Sequence, residues 1–207
     1  MNSFTSAALL AAGKSLRMGF DKQFLHVRRD QLFAEILPKL TNRFEDVTVV
    51  TRQPKIYRSI SVRAIDEIVP GLGPLSAIHA AISEAVSEYV YIIACDMPRI
   101  DLNYIDYMIQ KIIANSPADA CVAKKGEEIE PFHAFYSKQA LPAIEAALYA
   151  GEKSVCELLQ KINTLFIPET ETRRFSPDWS LFYNLNTLEE YNKVSVSGSM
   201  TMSEEIA

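Results

Sequence analysis

The sequence is poor in cysteine and has no long apolar run, and each shortage excludes a class of protein. Its three cysteines, Cys95, Cys121 and Cys156, lie far apart and form no Cys-x-x-Cys pair for zinc binding or redox work. No apolar run reaches the roughly 18 residues that span a bilayer, and the N-terminus lacks the basic and apolar regions of a signal peptide. We therefore expect reduced thiols in a cytoplasmic protein without a membrane partner.

An excess of positive charge is also missing. The formal net charge is −5, whereas binding to nucleic acid requires a basic face. We expect no nucleic-acid partner, so any nucleotide bound here is a small molecule held by a few local cations. The length suits one domain with a buried core, predicted over residues 1–194. The polar and aperiodic residues 195–207 predict a disordered tail.

Apolar runs of strand length alternate with amphipathic stretches of helical length, which predicts parallel strands joined by crossover helices. The predicted strands are Ser6–Ala12, Asp46–Thr51, Val62–Ile65, Tyr89–Cys95, Ala118–Ala123, Phe132–Tyr136 and Thr164–Ile167. The predicted helices are Gln31–Leu40, Pro74–Val86, Leu102–Ala114, Lys138–Ala150, Val155–Ile162 and Leu188–Lys193. This pattern indicates an α/β fold with a mostly parallel central sheet, and functional groups are then expected beyond the carboxyl ends of its strands.

The most informative segment follows the first predicted strand and reads LAAGKSLRMGFDK (residues 10–22). The apolar run breaks at Gly13 into a loop that carries a serine, cations, a second glycine and an acid. Backbone N–H groups of such a loop can approach a polyphosphate while Arg17 and Lys22 neutralise its charge. The spacing matches neither the P-loop nor the dinucleotide-binding Gly-x-Gly-x-x-Gly.

A single carboxylate, Asp96, follows the buried strand at Tyr89–Cys95, and Pro98 ends strand pairing just after it. A carboxylate at this place can ligate Mg²⁺, which takes one or two carboxylates together with phosphate oxygens and waters. The alternative is an aspartate that caps the next helix. Farther along the chain, Asn184 and Asn186 alternate in an extended segment, so both amides can face the same side.

These segments resemble the molybdenum cofactor guanylyltransferases of the MobA-like nucleotidyltransferase family, whose signature is Leu-Ala-Gly-Gly-x-Ser-x-Arg-Met-Gly-x-Asp-Lys. The resemblance extends from Leu10 to Glu190 and includes that family's Gly-Pro-Leu, Cys-Asp-x-Pro and Asn-x-Asn-Thr elements. Ala12 stands where the family usually has its first glycine. The resemblance implies a single-domain, Rossmann-like three-layer αβα sandwich of the nucleotide-diphospho-sugar transferase type.

The resemblance also implies an activity: transfer of GMP from GTP to molybdopterin bearing Mo, with release of pyrophosphate and with Mg²⁺ as cofactor. The implied nucleotide-binding residues are Leu10, Ala11, Ala12, Gly13, Lys22, Asp66 and Asp96. The implied catalytic residues are Arg17, Lys22 and Asp96, with Asp96 as the metal ligand, and the acceptor would be held by Asn184 and Asn186. Other proteins of molybdenum cofactor biosynthesis are candidate partners.

Several points stay open at this level. Leu-Ala-Ala-Gly is common in cytidylyltransferases, so a CTP-dependent enzyme acting on the same pterin is an alternative, as is a GTP-binding delivery module without turnover. Glu67 competes with Asp66 for the place of a nucleotide-contacting acid. His133 lies in a segment (130–136) that resembles the one facing the second substrate, but its alternating pattern favours a place on the polar face of the sheet over a general base.

Overall fold

The computed structural model describes residues 3–11, 35–57, 62–67, 72–115 and 117–184. Its strands are β1 Ser6–Leu10, β2 Asp46–Val50, β3 Arg63–Ile65, β4 Tyr89–Ala94, β5 Ala120–Lys125, β6 Glu128–Ser137 and β7 Thr164–Pro168. They form one seven-stranded sheet in the order β3-β2-β1-β4-β6-β5-β7. Within it β6 is antiparallel to both β4 and β5, and the other pairings are parallel. All seven predicted strands are therefore present, in a mixed sheet that is mostly parallel.

Helices alternate with these strands. Residues 35–43 are helical (α1), and the helices that follow are α2 Pro74–Glu84, α3 Leu102–Asn115, α4 Leu141–Tyr149, α5 Val155–Lys161 and α6 Glu169–Thr172. Two serines cap the helical segments that follow them, because Ser137 Oγ accepts from the backbone N–H of Gln139 (3.0 Å) and Ser154 Oγ from that of Glu157 (3.2 Å). The short helix α6 was not predicted. The predicted helix Leu188–Lys193 and the tail 195–207 lie outside the described residues.

Helices cover both faces of the sheet. The side chains of β1 alternate between the two faces, so that Ala7 and Leu9 pack in one core with α1 and α3, while Ala8 and Leu10 pack in the other with α2, α4 and α5. The expected three-layer αβα sandwich is thereby confirmed. Across the part of the chain that is described, no helix is both long and apolar enough to cross a membrane.

The antiparallel strand β6 changes the geometry of the sheet at its carboxyl edge. It joins β5 through a two-residue turn in which Gly126 has a φ of 57°, a conformation that favours glycine. The register then shifts, because Ala123 is opposite Glu130 whereas Cys121 is opposite Phe135. This bulge adds residues to β6, and the last pair that β6 makes with β4 is Ile92 with Ala134. The end of β4 therefore continues beyond its pairing with β6.

The amino edge of the sheet is held by the carboxylate of Asp46. Its Oδ2 accepts hydrogen bonds from Ser6 Oγ (2.8 Å) and from the Val86 backbone N–H (3.0 Å). Its Oδ1 accepts from Arg63 Nη2 at 3.1 Å. One side chain thus connects β1, β2, β3 and the segment that leads from α2 into β4.

Candidate active site

The ends of β1 and β4 lie side by side at the carboxyl edge of the sheet. These two strands are parallel, with Leu10 paired to Ala94. The ladder continues past the strand ends, because the Cys95 N–H donates to the Leu10 carbonyl at 3.0 Å and the Ala11 N–H donates to the Val50 carbonyl at 2.8 Å. Neighbouring strands are about 4.8 Å apart. Leu10 and Ala11, which lead into the signature loop, and Asp96 therefore lie within the length of one nucleotide.

Asp96 lies in a tight turn after β4, in which the Met97 N–H donates to the Ala94 carbonyl at 3.1 Å, and its side chain is partly exposed. It does not cap the next helix. Asp101 has that role, because its Oδ1 accepts from the Tyr104 N–H at 3.0 Å. The helix-capping role that was the alternative for Asp96 therefore belongs to Asp101.

The donor set at Asp96 fits a magnesium ion. Among the described residues, no group of three or more His, Cys, Asp or Glu side chains could hold a metal ion, so these residues offer no complete cage of the kind that zinc or calcium occupies. Mg²⁺ is instead commonly held by one or two carboxylates together with substrate phosphates and waters. One carboxylate beside the end of β1, where the nucleotide is expected, is compatible with that kind of site.

The structure separates the two neighbouring acids at the end of β3. The Glu67 side chain is buried, with 1% exposure, and its Oε2 lies 3.3 Å from Arg52 Nε. Asp66 is exposed, and its Oδ1 accepts from the Glu67 backbone N–H at 2.8 Å. Because β2 and β1 separate β3 from β4, Asp66 lies about 14 Å along the same edge from Asp96. Of the two acids, only Asp66 is placed to contact a ligand.

The helix α2 also begins at this edge, since it follows β3 and leads back to β4. Gly73 precedes it with a φ of 75°, and Pro74 is its first residue, as predicted from Gly-Pro. A side chain at residue 73 would be strained by that φ. The free N–H groups at the start of this helix add a partial positive charge to the edge where the triphosphate is expected.

His133 is not on the polar face of the sheet, so that prediction is wrong. It is fully buried, has a φ of 51°, and its Nδ1 lies 2.7 Å from the Tyr91 hydroxyl. The bulge in β6 interrupts the alternation on which the prediction depended. Burial lowers the pKa of His133 to about 3, with a smaller opposing effect from the Met97 backbone. The imidazole is therefore neutral near pH 7 and inaccessible to a substrate.

An aromatic cluster that no motif indicated borders the site next to His133. The Phe182 ring meets the imidazole edge-on, with centroids 5.9 Å apart, and packs at a tilt of 39° against the Trp179 ring, with centroids 4.8 Å apart. Trp179 Nε1 donates to Glu130 Oε1 at 2.8 Å, while burial raises the pKa of Glu130. Asn184 follows this cluster directly and is exposed. The density of aromatic residues over 175–183 was the available sequence signal for such packing.

The remaining predicted site residues lie outside the described part of the chain. They are Ala12, Gly13, Arg17, Lys22 and Asn186. Five predicted site residues are described: Leu10, Ala11, Asp66 and Asp96 lie at the carboxyl edge of the parallel strands, and Asn184 follows the aromatic cluster. An open α/β sheet with polar groups gathered at this edge is the arrangement of a nucleotide-binding α/β protein.

Comparison with known families makes this class more specific. The family model of the MobA-like NTP transferase domain matches residues 7–165. The chain therefore belongs to the MobA-like NTP transferase family, whose members are nucleotidyltransferases.

Two relatives cover almost the whole chain. One is the "Probable molybdenum cofactor guanylyltransferase" of Peptoclostridium acidaminophilum, which is 44% identical over 93% of this chain and 89% of its own length. The other is the "Molybdenum cofactor guanylyltransferase" of Syntrophotalea carbinolica, 45% identical over 92% of this chain and 90% of its own.

Solved structures share the fold. Molybdopterin-guanine dinucleotide biosynthesis protein A from Archaeoglobus fulgidus superposes with a TM-score of 0.73 at 22% identity, covering 94% of this chain and 99% of its own. The 4-diphosphocytidyl-2C-methyl-D-erythritol synthase of Anaerococcus prevotii gives 0.62 at 14% identity, covering 95% and 96% of the two chains. The architecture thus occurs in proteins named for different nucleotides and does not determine the base.

Proposed function

We propose that the protein transfers GMP from GTP to molybdopterin bearing Mo, which forms the guanine dinucleotide cofactor and releases pyrophosphate. The observation that carries this proposal is the adjacency of Ala11 and Asp96 at the ends of two paired parallel strands. Membership in the family and two relatives named as guanylyltransferases support the choice of reaction. We further propose that the reaction takes place in the cytoplasm, alongside other proteins of molybdenum cofactor biosynthesis.

In the proposed reaction, an oxygen of the pterin's terminal phosphate attacks the α-phosphorus of GTP in line with the leaving group. A new P–O bond forms, the bond from the α-phosphorus to the bridging oxygen breaks, and pyrophosphate leaves with that electron pair. Because the nucleophile is already an anion, no strong protein base is required. Positioning and charge neutralisation must then supply most of the rate enhancement. The burial of His133 is consistent with a reaction that needs no general base.

Each predicted residue has a role in this scheme. The backbone from Leu10 to Gly13 holds the base and the sugar, and Asp66 makes a further contact to the nucleotide. Arg17 and Lys22 stabilise the charge on the departing pyrophosphate. Asp96 holds Mg²⁺, which when bound supplies positive charge to the phosphate oxygens.

We propose that Asn184 and Asn186 hold the pterin. Asn184 lies directly after the aromatic cluster of Trp179 and Phe182, at the end of the described chain.

The decisive experiment measures pyrophosphate release by the purified protein with Mg²⁺, molybdopterin and each nucleoside triphosphate in turn. GTP is expected to be the efficient donor. CTP is the second candidate because Leu-Ala-Ala-Gly, with Ala12, is common in cytidylyltransferases. A clear preference for CTP would show that the protein transfers CMP and not GMP. A delivery module without turnover would show a GTP-dependent rise in melting temperature but no pyrophosphate.

A further inference from the structure

We propose that His133 is a positioning residue: its Nε2–H donates to the Met97 carbonyl when nucleotide binds and thereby holds the turn that carries Asp96, while Tyr91 fixes the tautomer of the ring. The functional part of this inference rests on the proposed role of Asp96. The structural part stands on contacts within the buried core and can be tested without any substrate.

The first step is the tautomer. Tyr91 is fully buried, and burial raises the pKa of its hydroxyl well above the ordinary value, so the hydroxyl keeps its proton. Its hydrogen-bond partner is Nδ1 of His133 at 2.7 Å. A neutral imidazole has one N–H and one acceptor nitrogen. Donation from Tyr91 to Nδ1 therefore leaves the ring proton on Nε2.

The second step is the partner of that proton. Nε2 is buried and makes no hydrogen bond of normal geometry among the described residues. The Met97 backbone favours the protonated form of the ring. A carbonyl oxygen has this effect because it accepts a hydrogen bond from a ring N–H, so the Met97 group that acts on the ring is its carbonyl. Hydrogen bonds of an active site often tighten only when the complex forms. A small movement of the turn on nucleotide binding would satisfy Nε2–H and hold the turn that carries Asp96.

The third step is the backbone. His133 has a φ of 51°, and it lies in the stretch of β6 that bulges between the partners of Cys121 and Ala123. Bulges redirect side chains, and backbone strain of this kind persists where the surrounding structure enforces it. Here the Tyr91 and Phe182 rings enclose the imidazole edge-on, at centroid distances of 6.2 and 5.9 Å. The strained residue thereby lies beside the end of β4, since the neighbouring Ala134 pairs with Ile92.

The test uses two substitutions that separate the two ring nitrogens. In His133→Gln the amide nitrogen reaches approximately the place of Nε2, and in His133→Asn it reaches that of Nδ1. If His133 has a purely structural role, the Asn variant should resemble the wild type more than the Gln variant does, because asparagine tolerates a positive φ better than glutamine. If His133 positions the turn, the Gln variant should resemble the wild type more, because only Gln keeps the donor to Met97.

The measurement with ligand is the Mg²⁺ concentration needed for half of the GTP-induced rise in melting temperature. In His133→Asn this concentration is expected to rise by at least about tenfold, as when other supporting partners of a metal ligand are removed, while His133→Gln stays near the wild type. A His133→Asn variant that matches the wild type would overturn the proposal.

Two further readouts do not depend on turnover. Without ligand, nitrogen NMR of the imidazole should show a protonated Nε2 and an unprotonated Nδ1, and the opposite tautomer would overturn the proposal. With GTP and Mg²⁺ bound, the Met97 amide, which donates to Ala94, should exchange faster in His133→Asn than in His133→Gln. If neither variant folds, Tyr91→Phe keeps the ring packing and should yield a mixture of tautomers; an unchanged tautomer there contradicts the role given to Tyr91. Should no nucleotide be turned over, the proposed function fails while these results still decide the role of His133.

Discussion

The carboxylate of Asp46 offers a direct test of which edge of the sheet carries the chemistry. It accepts from the buried Ser6 hydroxyl, the Val86 backbone N–H and Arg63 Nη2, all at the amino edge. The candidate active site lies at the opposite, carboxyl edge. Removing this carboxylate should therefore lower the free energy of unfolding and leave turnover unchanged at temperatures where the protein stays folded.

The magnitude follows from the three hydrogen bonds. The bonds from Ser6 and Val86 to a charged acceptor contribute most, and the pair with the 40%-exposed Arg63 adds little because solvent screens it. Asp46→Ala should cost about 3 kcal/mol in total. In Asp46→Asn the amide oxygen can still accept from Ser6 and Val86, so only about 1 kcal/mol is lost. For a chain of this length each kcal/mol lowers the melting temperature by about 2–4 °C.

Thermal unfolding of the two variants measures the expected falls of about 6–12 °C for Asp46→Ala and about 2–4 °C for Asp46→Asn. Pyrophosphate release, assayed well below both midpoints, should equal that of the wild type. Equal destabilisation by Asn and Ala would show that the hydrogen bonds are not the source of the stability. A loss of turnover in a fully folded variant would refute the placement of the site at the carboxyl edge.

Further outcomes are expected at the site and in the core. Asp96→Ala should abolish pyrophosphate release while leaving the fold intact; wild-type rates across a Mg²⁺ titration would exclude its role as metal ligand. Lys22→Ala should weaken GTP binding more than GMP binding, because its expected partners are the β- and γ-phosphates, and equal losses in calorimetry would contradict this. Burial raises the pKa of Glu130, so the folded state retains a proton that the unfolded chain has lost, and stability falls as pH rises through the interval between the two pKa values. Glu130→Gln keeps an acceptor for Trp179 and should melt higher than the wild type above that interval but not below it; an equal gain at both pH values would argue against the burial effect. The pKa of His133, lowered to about 3, makes stability decline as pH falls from about 6.5 toward 3, by at most about 1.4 kcal/mol per pH unit. In His133→Phe, pH-dependent urea unfolding should show a shallower decline than in the wild type, and an identical decline would contradict the assignment.

Local patterns were sufficient for most of the fold. The apolar runs at Ser6–Ala12 and Tyr89–Cys95 predicted strands, and the structure has strands there, in the interior of the sheet. The Gly-Pro pair at residue 73 predicted a helix start, and the structure has it there. Such features are readable because strand burial, capping and proline geometry act over a few neighbouring residues.

The candidate site was only partly readable. Asp96 was a candidate because of its place after a buried strand. The sequence pattern did not show which aspartate caps the next helix, and only the structure gives that role to Asp101. The choice between Asp66 and Glu67 likewise required Arg52, fifteen positions away, whose ion pair buries Glu67 and leaves Asp66 exposed. These assignments depend on which partner each charge meets in the folded chain.

Residue types and their spacing were enough to predict an α/β protein with a loop chemically suited to a polyphosphate, because those properties reside in short segments. The order of the strands, the antiparallel insertion of β6 and the burial of His133 were decided only in the folded molecule. The physical reason is that they arise from contacts between residues far apart in the chain. His133 and Tyr91 are 42 positions apart, so the spacing of apolar residues within either segment cannot predict that the two side chains contact each other.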